Sequence, residues 1–70
     1  MTSRKVKQLE GWGEIAGHLA LLAINDGDNI YAISLETLNV IDVMCETVQT
    51  VLSWYKSDNV IFILVTVEDN

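Results

Sequence analysis

The longest uninterrupted hydrophobic stretch of the chain is Val60–Val67. Apart from Thr66 its residues are apolar, most are β-branched, and the stretch contains no glycine, proline or charge. A short apolar run of this kind, bounded by polar residues, is typical of a β-strand that is buried on both faces. The pattern therefore predicts a central strand, which the rest of a 70-residue chain must cover.

A second pattern, with apolar residues three and four positions apart, predicts one long amphipathic helix over residues 35–56. Ser34 is a favourable N-cap residue, and Glu36 would lie in the first turn, where the helix dipole favours an acid. The predicted apolar face consists of Leu38, Ile41, Met44, Cys45, Val48, Val51, Leu52 and Tyr55. Such a stripe is wide enough to pack on a small sheet.

The segment before this helix fits two structures. In the first, Asp26-Gly27 forms a tight turn between the apolar runs Leu19–Ile24 and Ile30–Ile33. Asp-Gly readily adopts the positive φ angles of a two-residue hairpin turn. We favour this hairpin, with strands over residues 18–25 and 29–34.

In the second structure residues 6–25 form a helix. Apolar residues again recur at spacings of three and four, at Val6, Leu9, Trp12, Ile15, Leu19 and Leu22. Against the helix stand the glycines at 11, 13 and 17, because each costs about 1 kcal/mol relative to alanine in a helix interior.

These elements predict one small α+β domain over residues 1–70, with residues 1–8 as a basic flexible tail. The expected fold is a three-stranded antiparallel β-β-α-β sheet with one long helix on one face, and the alternative is α-β-α-β. In the favoured fold a single helix covers only one side of the last strand. We therefore expect its other side to be an interface, with Ile61, Ile63 and Val65 as the candidate self-association residues.

Composition supports an oligomer. Half of the residues are hydrophobic and the mean hydropathy is +0.29, which is more apolar surface than one small core needs. The single cysteine, Cys45, and the single histidine, His18, are too few for an intramolecular disulfide or a Cys/His zinc site. We therefore expect a homodimer, in the reducing cytoplasm. The apolar runs are too short to span a membrane.

Charge is distributed unevenly along the chain. The net charge is −6, and three of the four bases, Arg4, Lys5 and Lys7, precede residue 8. The remaining chain carries all ten acids against Lys56, so it repels nucleic acid and attracts a basic protein surface. We predict partner-binding residues among the polar face and the aromatic end of the long helix. They are Asp42, Glu46, Gln49, Glu36, Trp54 and Tyr55.

The sequence contains no complete catalytic or cofactor-binding motif. Residues 25–29 (Asn-Asp-Gly-Asp-Asn) resemble a calcium loop, but Ile30 and Tyr31 occupy positions that the loop needs for a ligand and a glycine. Residues 11–16 match only the looser dinucleotide fingerprint, and Glu14 there would repel a pyrophosphate. The sequence therefore predicts no catalytic residue, no cofactor and no metal, and a protein that is not an enzyme.

Three functions remain. The first is a small acidic binding module that occludes a basic surface of a larger protein. Its profile is similar in composition, though in no motif, to phage and mobile-element inhibitors such as anti-CRISPR proteins and nucleic-acid mimics. The second is a homo-oligomeric structural or adaptor module. The third, ranked last for want of polar catalytic groups, is a small ligand-binding or enzyme subunit.

Overall fold

A computed structural model describes residues 2–25 and 27–69 of the chain, with side chains over 4–25 and 27–67. The elements follow in the order β1 (Thr2–Leu9), α1 (Trp12–Asn25), β2 (Asn29–Ser34), β3 (Val40–Asp42), α2 (Val48–Tyr55) and β4 (Val60–Asp69). A short 3₁₀ turn, Val43–Cys45, joins β3 to α2.

The four strands form one antiparallel sheet in the order β1-β4-β2-β3. The last strand, β4, is therefore an inner strand, as its apolar run predicts. The α+β class also holds. The three-stranded β-β-α-β sheet with one long helix is wrong, because the sheet has a fourth strand and the chain has two helices.

The fourth strand comes from the segment that was expected to be a flexible tail. Thr2–Leu9 is β1, and it pairs along its whole length with β4. Leu9 lies opposite Phe62 and is buried with it, which anchors one end of the strand. Lysines that alternate along β1 suit an edge strand, because charge on an edge opposes pairing with other chains. Met1 lies outside the described residues.

The favoured hairpin over residues 18–25 and 29–34 is also wrong in its first half, because Trp12–Asn25 is the helix α1. Ile15 and Leu22, two helical turns apart, are buried in the core. This packing offsets the cost of Gly13 and Gly17, which lie on the exposed side. The helical alternative over residues 6–25 is correct only from Trp12 onward. The turn residue Asp26 lies outside the described residues.

The predicted helix over residues 35–56 is interrupted near its start. Ser34 does cap a turn: its Oγ accepts the N–H of Thr37 at 3.4 Å, and its carbonyl accepts the N–H of Leu38 at 2.8 Å. That turn ends at once, because Leu38 has a φ of 60°, in the left-handed region. The N–H of Ser34 donates to the carbonyl of Asn39 at 3.0 Å. The chain thereby reverses direction, and β3 pairs with β2.

Within the predicted helix over residues 35–56, the α-helix α2 covers only Val48–Tyr55. Thr47 is its N-cap, with extended backbone angles and a side chain that accepts the N–H of Thr50. Such a cap satisfies one of the backbone donors that the first turn leaves unpaired. Val51 of α2 is fully buried, so the short helix is held by tertiary packing as well as by its cap.

One face of the sheet carries the whole core. The buried side chains come from the strands, from both helices and from the 3₁₀ turn, and they form a single cluster. Its members are Leu9, Ile15, Leu22, Ile30, Ala32, Val43, Val51, Phe62 and Leu64. Both helices therefore lie on the same side of the sheet, over the face that carries Phe62 and Leu64.

Candidate protein-interaction surface

The opposite side of the sheet, which we call the open face, is assigned by the strand register. Residues that are directly opposite each other in an antiparallel pair point to the same face, and neighbours along a strand alternate. Starting from Ile63, which lies next to the buried Phe62 and Leu64, the register assigns the side chains that the structure describes over residues 4–25 and 27–67. The open face comprises Arg4, Val6, Gln8, Asn29, Tyr31, Ile33, Val40, Asp42, Ile61, Ile63, Val65 and Val67.

The centre of the open face is apolar. Ile63 lies opposite Tyr31, and Ile61 lies opposite Ile33, which in turn lies opposite Val40. None of these side chains belongs to the core cluster or to the partly buried hydrophobic residues that pack against it. Val40 is 61% exposed, whereas Tyr31, Ile33, Ile61 and Ile63 are half-buried. This is an apolar sheet surface that neither helix covers.

A shallow depression of about 360 Å³ lies in this surface. It is open to solvent, and most of its wall is aliphatic. Its lining residues are Arg4, Asn29, Tyr31, Ile33, Val40, Ile63, Val65 and Val67. A surface of this shape suits packing against another apolar surface, because apolar groups removed from water contribute about 25 cal/mol per Å².

The charged side chains that the structure describes on the open face lie at its two edges. Arg4 stands on the edge strand β1, and Asp42 stands on the opposite edge strand β3. Among the described open-face side chains these two are the only ionisable groups besides Tyr31. The described part of this face therefore carries few charges, in a chain whose net charge is −6.

The predicted self-association residues Ile61, Ile63 and Val65 all lie together on the open face. The sequence prediction did not include their neighbours Tyr31 and Ile33 on β2. The alternation of side chains along β2 would have predicted them. Because Ile30 and Ala32 are buried on one face, Tyr31 and Ile33 must lie on the other.

The predicted polar partner-binding residues do not share one helix, because the long helix over residues 35–56 does not form. Glu36 lies in the turn between β2 and β3, Glu46 follows the 3₁₀ turn, and Gln49 lies on α2. Asp42 ends β3 and caps the 3₁₀ turn, since its Oδ1 accepts the N–H of Met44 at 3.0 Å. Asp42 and Glu46 therefore do not lie on one helix face.

The two aromatic candidates at the end of α2 have different environments. Trp54 packs against the core cluster. Tyr55 is exposed and meets Trp12 of α1, with ring centroids 6.2 Å apart and an interplanar angle of 47°. Tyr55 also lines a small pocket of about 210 Å³ with Leu9, Val60 and other residues at the ends of β1 and β4. The pair joins the two helices beside this pocket.

Titratable groups are scattered over the molecule. Among the described side chains, those of residues 4–25 and 27–67, no group of three or more His, Cys, Asp or Glu is placed to hold a metal ion. Cys45 is exposed. Within the same ranges, neither α1 nor α2 has the length and apolar character that crossing a bilayer requires.

Glu14, in the first turn of α1, has a pKa that is shifted by its neighbours. It accepts a hydrogen bond from Nζ of Lys7 on β1 and another from the N–H of Glu10. These two bonds, the Lys7 bond first, lower the pKa of Glu14 below its ordinary value of 4.5. The pair stabilises the β1–α1 connection and lies on the helix side of the sheet, away from the open face.

The centre of the open face is thus an apolar surface whose residues lie outside the core cluster. No protein-family model matches the chain, and no match to it was found among curated proteins or solved structures.

Proposed function

We propose that this chain is a small non-enzymatic protein-binding module that assembles with a second copy of itself, face to face, through the open face. The observation that carries the proposal is the apolar surface around Ile63, which no helix covers. Two antiparallel sheets that pack in this way form a sandwich about 10 Å thick, with the side chains of both inner faces interdigitated.

The charge distribution favours a second copy as the occupant. A chain with a net charge of −6 repels another copy over most of its surface. The described side chains of the open face carry few charges, with Arg4 at one edge and Asp42 at the other. Their positions at opposite edges also suit a two-fold interface, in which one patch must be complementary to itself.

The exposed area points in the same direction. The folded chain exposes 4853 Å², whereas a compact monomer of this mass exposes about 4,400 Å². The excess of roughly 450 Å² is consistent with a sheet whose open face no helix covers. Small domains of this length are marginally stable alone, so burial of that face against a second copy also supplies stability.

Analytical ultracentrifugation of the purified chain tests the proposal. We expect a species of twice the chain mass of 7.8 kDa that dissociates on dilution. Ile63→Lys should convert it to a monomer, because a two-fold interface would bring two uncompensated ammonium groups into its apolar centre. The circular dichroism spectrum of Ile63→Lys should stay that of the wild type, since the side chain is half-exposed in the monomer.

Leu21→Lys is the matched control, because Leu21 is an exposed residue on α1, on the helix side of the sheet. It introduces the same charge and should leave the dimer intact. A wild-type chain that sediments as a monomer at millimolar concentration would contradict the proposal. So would an Ile63→Lys variant that keeps both its fold and its dimer.

A second candidate function is the occlusion of a basic protein surface. It is favoured by the position of the bases: Arg4, Lys5 and Lys7 all lie on β1, at one edge of the sheet. The exposed acids Glu36 and Glu46 flank β3, at the other edge. The molecule thus presents an acidic edge remote from most of its bases, which would meet a basic partner first.

A pair of variants with equal net charge tests this second function. Glu36→Lys with Glu46→Lys reverses the β3 edge, whereas Glu10→Lys with Asp58→Lys makes the same change in net charge at other exposed positions. The probe is a fluorescent oligo-arginine peptide, read by anisotropy. Weaker binding of the first variant than of the second supports the acidic edge as a site. Equal binding would show that only total charge matters, and would exclude a defined acidic edge.

A further inference from the structure

The first strand, β1, is paired with another strand along only one of its two edges. It lies at one end of the sheet, and β4 is its only strand partner among the described residues. An edge strand presents a row of backbone N–H and C=O groups with which another extended chain can pair. At this end of the sheet the strand is eight residues long, whereas β3 at the other end has three. Of the two ends, the β1 edge is therefore the one that is long enough to receive a further strand.

The middle of β1 is exposed on both faces of the sheet. All described side chains from Arg4 to Gln8 are exposed, and the strand is anchored by the buried Leu9 at its end. The two helices pack mainly over the inner strands, α1 over β2 and α2 over β4. The edge is therefore accessible to an extended segment.

The charge of β1 is opposite to that of the rest of the chain. Thr2–Leu9 contains three bases and no acid, in a chain whose net charge is −6. Pairing of this edge with the β1 of a second copy would bring six bases together, and like charges that face each other across two strands are destabilising. A strand that carries acids would instead gain opposite-charge pairs. The edge thus opposes a second copy of itself and favours an acidic strand.

The two faces of β1 offer different contacts to an added strand. Lys5 and Lys7 lie on the helix side of the sheet, like the buried Leu9. Val6 lies on the open face and is 65% exposed. Since the side chains of an added strand also alternate between the faces, acids at alternate positions would lie beside the two lysines. An apolar residue between those acids would cover Val6.

The ion pair between Lys7 and Glu14 is compatible with such a contact. The ammonium group of Lys7 donates to Glu14, but an ammonium group has three donors, and the Lys7 side chain is 63% exposed. Lys7 can therefore meet a second carboxylate without leaving the first.

We propose that the outer edge of β1 binds an extended segment of another protein in which acidic and apolar residues alternate, and that this segment joins the sheet as a fifth strand. Backbone hydrogen bonds hold the segment, and its alternate side chains give selectivity, as is usual in strand addition. Nucleic acid is also anionic, but the net charge of the chain repels it, and it has no row of peptide groups to pair with the edge. The site is separate from the open-face contact between copies, because an added strand lies in the plane of the sheet.

Fluorescence anisotropy with labelled peptides and the whole chain tests the site. The probe is an eight-residue peptide that alternates valine and glutamate. One control peptide has the same sequence with every backbone nitrogen methylated, which removes the backbone donors and keeps the charge. The other control alternates valine and lysine. We expect the probe to bind and both controls to bind at least about tenfold more weakly. The bound probe should also slow amide hydrogen exchange in β1 and leave β3 unchanged.

Two protein variants with equal net charge locate the contact. Lys5→Glu reverses a charge on β1, whereas Lys56→Glu reverses the one base of the chain outside β1, at the C-cap of α2. We expect Lys5→Glu to weaken binding of the probe by at least about fivefold, and Lys56→Glu to leave it nearly unchanged. Circular dichroism checks that each variant is folded. If Lys5→Glu is unfolded, Lys5→Gln replaces it and should weaken binding in the same direction.

Four results would overturn the proposal. They are a probe that does not bind at millimolar concentration, equal binding of the probe and its methylated form, an equal loss in the Lys5 and Lys56 variants, and slowed exchange in β3 in place of β1. Single-stranded oligodeoxythymidylate of the same charge is the competitor that distinguishes a strand site from a general anion site. It should leave the probe bound, and displacement of the probe at equal concentration would contradict strand addition.

Discussion

Lys7 of β1 and Glu14 of α1 form an ion pair that connects the edge strand to the first turn of the helix. The same carboxylate accepts the backbone N–H of Glu10 at 3.1 Å, in the short connection between the two elements. One acidic side chain thus stabilises the end of a strand, a turn and the positive end of a helix dipole. Its removal should therefore affect stability in a pH-dependent way.

We predict that Glu14→Gln lowers the urea midpoint at neutral pH and that the difference from the wild type disappears in acid. The pKa of Glu14 is lowered in the folded state, so the unfolded state binds its proton more readily. The stabilisation is complete above the ordinary pKa of 4.5. It is lost as the pH falls below that value and through the folded pKa.

The measurement is a series of urea denaturation curves from neutral pH downward. Lys7→Gln should reproduce the effect, because the Lys7 hydrogen bond is the main cause of the shift. Parallel curves for Glu14→Gln and the wild type over the whole range would refute the linkage.

We predict that Gly17→Ala stabilises the fold by about 0.5–1 kcal/mol, since it removes backbone freedom from the unfolded chain. A Cβ at Gly17 would meet no atom within 4 Å, and its φ is negative. Ala20→Gly, at another exposed position of α1, is the inverse control and should destabilise by a similar amount. Chemical denaturation measures both, and a loss of stability in Gly17→Ala would mean that this side of α1 is covered.

We predict that Ile15→Ala destabilises by about 2–5 kcal/mol, because it opens a cavity in the core. Ile15, on the inner side of α1, is completely buried. Since a loss of that size can unfold so small a domain, Ile15→Val, with about 0.5–1.5 kcal/mol, provides a measurable variant. Leu21→Ala, on the exposed side of the same helix, should change the free energy of unfolding by less than about 0.5 kcal/mol. Equal effects of Ile15→Ala and Leu21→Ala would contradict the assigned orientation of α1.

We predict that Thr47→Ala costs about 1 kcal/mol, the usual contribution of an N-cap. The Thr47 side chain accepts the N–H of Thr50 at 3.3 Å. Thr47→Ser keeps the hydroxyl and should retain most of the stability. If both variants unfold at the wild-type urea midpoint, α2 does not depend on its cap.

Sequence patterns identified the inner strand because Val60–Val67 is short, apolar and rich in β-branched residues. Such a run suits a strand that has a neighbour on each side. The patterns failed between Leu35 and Cys45, where the apolar spacing of a helix coincides with two strand faces and a turn. The N-cap signal of Ser34 was locally correct, and the reason that its helix stops is the left-handed angle of Leu38. No residue preference predicts that angle for a leucine.

The first strand was missed for a different reason. Thr2–Leu9 is polar and basic, and its strand character depends on the hydrogen bonds that β4 offers from the other end of the chain. The glycines of α1 argued against a helix in the sequence. The burial of Ile15 and Leu22 in the core nevertheless stabilises it. In the candidate surface, Ile61, Ile63 and Val65 were predictable from one strand. The contributions of Tyr31 and Ile33 required the strand register.

The sheet order also constrains when the protein folds during its synthesis. Both β1 and β2 hydrogen-bond to β4, and β4 is the last strand to leave the ribosome. Until then only β2 and β3 can pair, and an isolated two-stranded hairpin is marginal in water. The nascent chain must therefore carry an exposed apolar β2 and an unfolded β1 until Val60–Asp69 emerges. Folding then proceeds through contacts between distant parts of the chain, which is characteristically slow.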